Sequence, residues 1–395
     1  MKRNKVVFLA FGCAVLAFIG CSKPQVENTI KIGGIFPLTG DVAVYGTEAR
    51  NGAELAIEEI NSAGGLLGKN LELISEDDEG KAEITVNAYN KLTAKDKVKF
   101  IIGSLTSGCT KAISSKAQSQ KVLLIAPAAT ANDITDAGDY IFRTCFTDSA
   151  QGTAGGIFTG RDLDAKTVAV LFNVSSDYSI GLKDNFIAAY QEFGGSVVAV
   201  ESYNEPDVDF NAQITKIKAL EPQVIYIPDY YTKVALIVSQ LRGQGIASRV
   251  VGTDGWDGII DKIGDAAAIE GGFYTNHYAS GVSAEIVKNF VSSYTAKYNA
   301  VPTAFAALAY DSVYMLKDAI IAADNGRSTE ETPVIPTSTE VRDALAAVSG
   351  KYITGDISFD AKHNPVKPVV VVEILRDEND NRKLITKYRT KISTN

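Results

Sequence analysis

Histidine is almost missing from this chain: 395 residues carry two, His277 and His363. Neither stands beside a cysteine or at the acidic spacing of a zinc site, so both read as surface or structural residues. No G-x-S-x-G stretch occurs and no Ser, His and Asp set follows from spacing, which removes the serine-hydrolase class. The nearest approach to a phosphate-binding loop, "GGLLGKN", has Asn70 where Ser or Thr is needed and follows a helix instead of a strand. It reads as a helix-ending turn. "DVDFNAQ" alternates oxygens but lacks the Gly and closing Glu of a calcium loop, and reads as a helix cap built on Asp209. Neither a catalytic set, a metal site nor a cofactor is expected.

Long apolar runs are equally scarce. One stands at the start, where Lys2, Arg3 and Lys5 precede the apolar stretch Val6 to Ile19, the layout of an export signal over residues 1–20. The run is short for a bilayer core of about 30 Å. It ends "AFIGCSK", with Gly20 before Cys21, which resembles a bacterial lipobox except at Phe18, where Leu is usual. Cys21 is the expected lipid anchor, residues 21–28 the tether, and the periplasm or cell surface the expected location, anchored to a bacterial membrane. The net charge is −8, and losing a basic leader makes the mature body more acidic still. An acidic body argues against nucleic acid, whose phosphates call for basic patches. Of the four cysteines, Cys13 leaves with the leader and Cys21 goes to lipid, so Cys109 and Cys145 remain in an oxidising compartment. A bridge between them is expected, with two buried free thiols as the alternative.

What the chain does have is a regular alternation. Short apolar runs such as "IKIGGIF", "KFIIG", "VLLIA", "TVAVLF" and "QVIYIP" read as strands, and stretches such as 47–61, with Ala49, Ala53, Ala56, Ile57 and Ile60 at helical spacing, read as helices. Nine such strands precede two long helical stretches, and three further strands close the chain. The pattern is that of an α/β protein with mostly parallel sheets flanked by helices. Ligands of such sheets sit beyond the carboxyl ends of the strands, where helix N-termini present free amides to an anion. "SLTSGCT" and "APAATAND" occupy that place. Ser107 and Thr130 can donate to a carboxylate there, and the carbonyl of Ala128 can accept from an ammonium. "NVSSDYS", "IPDYYTK" and "VGTDGWDG" bring Tyr178, Tyr230 and Asp254 to the equivalent ends of the other half, with Trp256 beside them.

Taken together, "IGGIFPLTGDVAVYG", "GAELAIEEINSAGGLLGKNLEL", "IIGSLTSG", "APAAT", "YIFRTCFTDSAQG" and "GTDGWD" resemble the type I periplasmic binding proteins of the leucine/isoleucine/valine-binding family, from about Ile30 to near the C-terminus. The resemblance implies two lobes joined by three crossovers, the first at 29–147 and 278–355, the second at 148–277 and 356–395. It implies a monomer that binds an amino acid, serves an ABC permease and makes or breaks no bond. It places the carboxylate clamp on Ser107 and Thr130 with the backbone of Thr106 and Ala128, and the ammonium partner on Asp254. Tyr178 and Tyr230 close over the ligand, and Tyr45, Leu105 and Phe305 line the side-chain pocket. The family pattern carries Glu where this chain has Asp254, a shorter arm that bears on which solute is preferred. A sensor of the same fold, or a binder of an amide or other small neutral solute, is the alternative.

Overall fold

The computed structural model describes residues 29–326, 335–380 and 382–394. The expected export signal, tether and lipid-bearing Cys21 lie outside the described residues.

The first sheet contains β1 (Thr29–Phe36), β2 (Asn70–Asp77), β3 (Phe100–Gly103), β4 (Leu123–Ala126) and β5 (Ile141–Arg143), all parallel in the order β2-β1-β3-β4-β5. β3 and β4 are buried at every position because helices cover both faces of the sheet, so they read as unbroken apolar runs. The connecting helices are α1 (Ala43–Ser62), α2 (Ala82–Asn90) and α3 (Ser107–Gln120). In α1 the expected stripe of Ala49, Ala53, Ala56, Ile57 and Ile60 is buried. The helix stops at Gly64 and Gly65, both at positive φ, where the Gly65 amide returns to the Ile60 carbonyl at 3.0 Å. A Cβ on Gly65 would stand 2.3 Å from the Lys69 carbonyl oxygen, so the turn in "GGLLGKN" needs a glycine for space as well as for φ.

After β5 the chain passes through α4 (Asp148–Ile157) into a second sheet. Its strands are β6 (Thr167–Asn173), β7 (Ser196–Tyr203), β8 (Val224–Tyr226), β9 (Arg249–Gly252) and β10 (Phe273–Asn276), interleaved with α5 (Asp177–Glu192), α6 (Asn211–Lys218), α7 (Tyr231–Gly243) and α8 (Ala266–Ile269). From β10 the chain goes back to the first sheet as α9 (Glu285–Tyr298), α10 (Ala304–Asn325), which packs along α1, and α11 (Ser338–Ala346). A hairpin, β11 (Ser349–Tyr352) and β12 (Gly355–Ser358), precedes the third passage. β13 (Val369–Arg376) and β14 (Leu384–Ile392) then join the second sheet antiparallel, giving the order β14-β13-β10-β9-β8-β6-β7. β14 alternates between exposed and half-buried side chains, as a solvent-facing edge strand must.

Three segments therefore link the two sheets. They follow β5, β10 and β12. The third is tied down by buried charge: Asp311 accepts from the amides of Ile353 (2.9 Å) and Thr354 (2.8 Å), and Lys367 donates to the Thr354 hydroxyl at 2.8 Å. Burial pulls the Lys367 amine down to about 8 and pushes the Asp311 carboxyl up to about 6.

The expected bridge between Cys109 and Cys145 is not formed. Both thiols are free and buried. Cys109 lies in α3 near Asp78, Ser104 and Thr106, whereas the Cys145 Sγ points to the Ala129 carbonyl at 3.2 Å. Burial pushes the Cys145 thiol up to about 12, so it stays protonated and unreactive while folded.

Candidate functional site

Two loops of the first sheet and three of the second end at one enclosure between the sheets. In the first sheet, Thr106 is the N-cap position of α3 and Ser107 its first residue, so amides without intrahelical partners stand at this helix start. Ser107 Oγ accepts from the Ala131 amide at 3.1 Å, which leaves its hydroxyl proton free to donate elsewhere. The loop after β4 carries Ala128 and Thr130, and its shape is set by a residue the sequence did not single out. Arg143, fully buried at the end of β5, donates through Nη1 to the carbonyls of Ala129 (3.2 Å), Thr130 (3.0 Å) and Ala131 (2.9 Å), and through Nη2 to Asn132 (3.2 Å). One guanidinium thus pins four successive carbonyls.

Across the enclosure, Tyr178 Oη donates to Asp254 Oδ1 at 2.7 Å and accepts from the Gly255 amide at 3.0 Å. A side chain on Gly255 would meet that Oη at 2.8 Å, so the amide reaches the phenol because residue 255 has none. Tyr178 stacks on Tyr230 with centroids 4.9 Å apart, and Tyr45 stands edge-on to Tyr230 and stacked on Phe305 at 4.0 Å. Tyr45 also crosses between the sheets, donating to the Gly255 carbonyl and accepting from the Tyr231 amide at 3.3 Å. These contacts bring α1 of the first lobe against the loops of the second, so the molecule is in a closed form. Trp256 is not part of the enclosure wall by its ring nitrogen, which donates to the Ile227 carbonyl at 2.9 Å inside the second lobe.

The structure thus gathers Ser107, Thr106, Ala128, Thr130, Leu105, Tyr45 and Phe305 on one side and Tyr178, Tyr230 and Asp254 on the other, nearly all buried. It also adds residues. His277, read from the sequence as surface or structural, is 2% exposed, with Nε2 3.1 Å from Asp254 Oδ2. Burial holds its imidazole down at about 4, against the pull of Asp254. His363 is half-buried and stacks on Phe142 at 4.0 Å, a structural placement. Asp148, the first residue of α4, is fully buried, and among the described residues neither its carboxyl oxygens nor Thr130 Oγ1 has a partner within 3.5 Å, although the Thr130 hydroxyl stands near enough to favour the ionised carboxyl against burial. Its amide donates to the Thr130 carbonyl at 2.8 Å, and burial pushes its carboxyl well above the carboxylate range. No run of sequence flags His277 or Asp148, because each acquires its setting from segments far away in the chain.

Where α3 and α5 meet, Lys111 Nζ lies 2.8 Å from Asp133 and 2.7 Å from Asp177. Asp133 belongs to the first lobe and Asp177 to the second. Lys111→Ala is expected to weaken ligand binding by about two- to fivefold, since a partly exposed pair contributes at most about 1 kcal/mol to closure. Titration calorimetry at low and high salt checks this, and an effect that does not shrink as salt rises would sink the electrostatic explanation.

Two lobes on mostly parallel sheets, with strand-end loops of both meeting between them, form the architecture of a two-lobed solute-binding protein. The chain belongs to the periplasmic binding protein family, whose model matches residues 29–380. It is 32% identical over 335 residues to a Leu/Ile/Val-binding protein of Rhizobium johnstonii, covering 84% of this chain and 89% of that one. It is 33% identical over 353 residues to a leucine-, isoleucine-, valine-, threonine- and alanine-binding protein of Pseudomonas aeruginosa, covering 88% and 91%. Among solved structures, the branched-chain amino acid transporter substrate-binding protein of Streptococcus pneumoniae in complex with isoleucine superposes with a TM-score of 0.82 at 34% identity, covering 92% of this chain and 99% of that one.

Proposed function

We propose that the chain captures an aliphatic α-amino acid between its lobes and delivers it to an ABC permease. The observation that carries this reading is Asp254, a buried carboxylate held by Tyr178 and facing a first lobe that offers hydroxyls and helix-start amides, where the nearby Arg143 guanidinium is taken up by loop carbonyls. A zwitterion answers both walls: its carboxylate meets Ser107, Thr130 and the amides at 106–107, and its ammonium meets Asp254. Tyr45, Leu105 and Phe305 enclose an apolar side chain. The relatives named above bind or transport such amino acids, which supports the same class here.

A thermal-shift screen of the amino acids tests it, because a ligand at ~1,000 times its dissociation constant stabilises by about 4 kcal/mol. Leucine, isoleucine or valine is expected to raise the melting temperature. No response to any aliphatic amino acid, with a response to neutral amides, would replace this reading.

The export signal and Cys21 belong to the same proposal, since a binding protein must be held near its permease. A Cys21→Ser variant is expected to stay uncleaved or to lose its lipid, as read by its size on immunoblots and by labelled fatty-acid incorporation. A wild type that takes up no labelled fatty acid would rule the anchor out.

A further inference from the structure

We infer that His277 is a positioning residue for the ligand's ammonium, acting through Asp254. The inference rests on the reading that Asp254 meets that ammonium. Asp254 opens a single turn of helix after β9, and its two oxygens are held from two different elements: Oδ1 by the Tyr178 hydroxyl of α5 at 2.7 Å, Oδ2 by His277 Nε2 just after β10 at 3.1 Å. An ionised carboxylate only accepts, so Nε2 carries the proton. Two fixed donors define the plane of the carboxylate and leave its remaining lone pairs for a cation. An aspartate needs this more than a glutamate, because with one methylene fewer it has fewer torsions with which to find the ligand.

The ring is itself held in place. It stacks on Phe146 with centroids 3.7 Å apart, and the His277 amide donates to Asn276 Oδ1 at 2.8 Å. Among the described residues Nδ1 has no partner, so the one hydrogen bond of this buried ring goes to Asp254. Packing against Phe146 alone would be served by an apolar side chain, which would leave no unpartnered nitrogen behind. Its charge state suits the task. Burial keeps the imidazole neutral at neutral pH, so it lends Asp254 a dipole without cancelling the negative charge that a ligand cation needs. Asp254 and, more distantly, Lys367 are the charged groups that act on the ring.

The test is a double-mutant cycle on leucine binding by titration calorimetry, with His277→Leu, Asp254→Ala and the double variant, plus His277→Gln. His277→Leu is expected to weaken leucine binding roughly ten- to a hundredfold, the effect of losing a hydrogen bond to a charged group. In the Asp254→Ala background the same change is expected to cost little more, because the group through which His277 acts is gone. His277→Gln, whose amide still donates, is expected to recover most of the loss. Additive effects in the cycle, or a glutamine variant as weak as the leucine variant with the fold intact by circular dichroism, would overturn the inference and leave His277 a packing residue. Failure of the underlying reading shows separately, as a wild type that binds no leucine or an Asp254→Ala variant that binds it unchanged.

Discussion

Replacing Asp254 by alanine is expected to weaken amino-acid binding by about 30-fold or more while the apo protein stays folded. On the proposed reading closure buries the ligand's ammonium beside this carboxylate, and truncating one member of such a pair typically costs about 2 to 5 kcal/mol because the other charge is left without a partner. Asp254 is 3% exposed, so water cannot take the place of the lost carboxylate without reopening the site. Ser107→Ala serves as the comparison and is expected to cost about 1 to 2 kcal/mol, since helix-start amides remain to hold the ligand carboxylate. Titration calorimetry on both variants decides. If Asp254→Ala binds as tightly as wild type, the solute carries no ammonium at this position.

Arg143→Met is expected to lower stability by at least about 3 kcal/mol and to weaken binding as well. The guanidinium bonds four consecutive carbonyls from Ala129 to Asn132, and those of Ala129, Thr130 and Ala131 are buried where water is no ready substitute. Methionine fills part of the volume and restores none of the donors. The loop that presents Ala128 and Thr130 then loses its fixed curvature, so the loss reaches the ligand through backbone placement. Arg143→Lys is expected to fall between the two, because three donors on one nitrogen cannot span carbonyls spread along a loop. Differential scanning calorimetry measures the first effect and leucine titration the second. A methionine variant that melts within about 1 °C of wild type would show that the carbonyls find other partners.

The contrast between Arg143 and Asp254 shows what sequence can and cannot reveal here. Asp254, Ser107 and Thr130 stand directly after strong apolar runs, so the rule that α/β ligands sit beyond strand ends points at them before any coordinates are known. The doubly covered sheets were legible for the same reason, as were the glycines ending α1. Arg143 closes β5, where its charge cuts short the apolar run begun by Ile141 and Phe142, and β5 is absent from the strands read off the sequence. His277 and Asp148 were missed because a lone polar residue after a short strand, or at a helix start, looks the same whether it faces water or a buried carboxylate. The bridge between Cys109 and Cys145 failed on a related point. Counting thiols identifies candidates for pairing, but only the packing of α3 and of the segment after β5 decides which way each sulfur points.

Closure has a kinetic side as well. With nearly all of the enclosure residues buried and Tyr45 bonded to Gly255 and Tyr231 across the gap, a solute held as proposed has no open path out while the lobes stay together. On that reading it leaves when the lobes part. Residence time is then the reciprocal of an opening rate rather than the lifetime of any one ligand contact, and a permease that pries the lobes apart would speed release of every solute the site accepts by the same mechanical act.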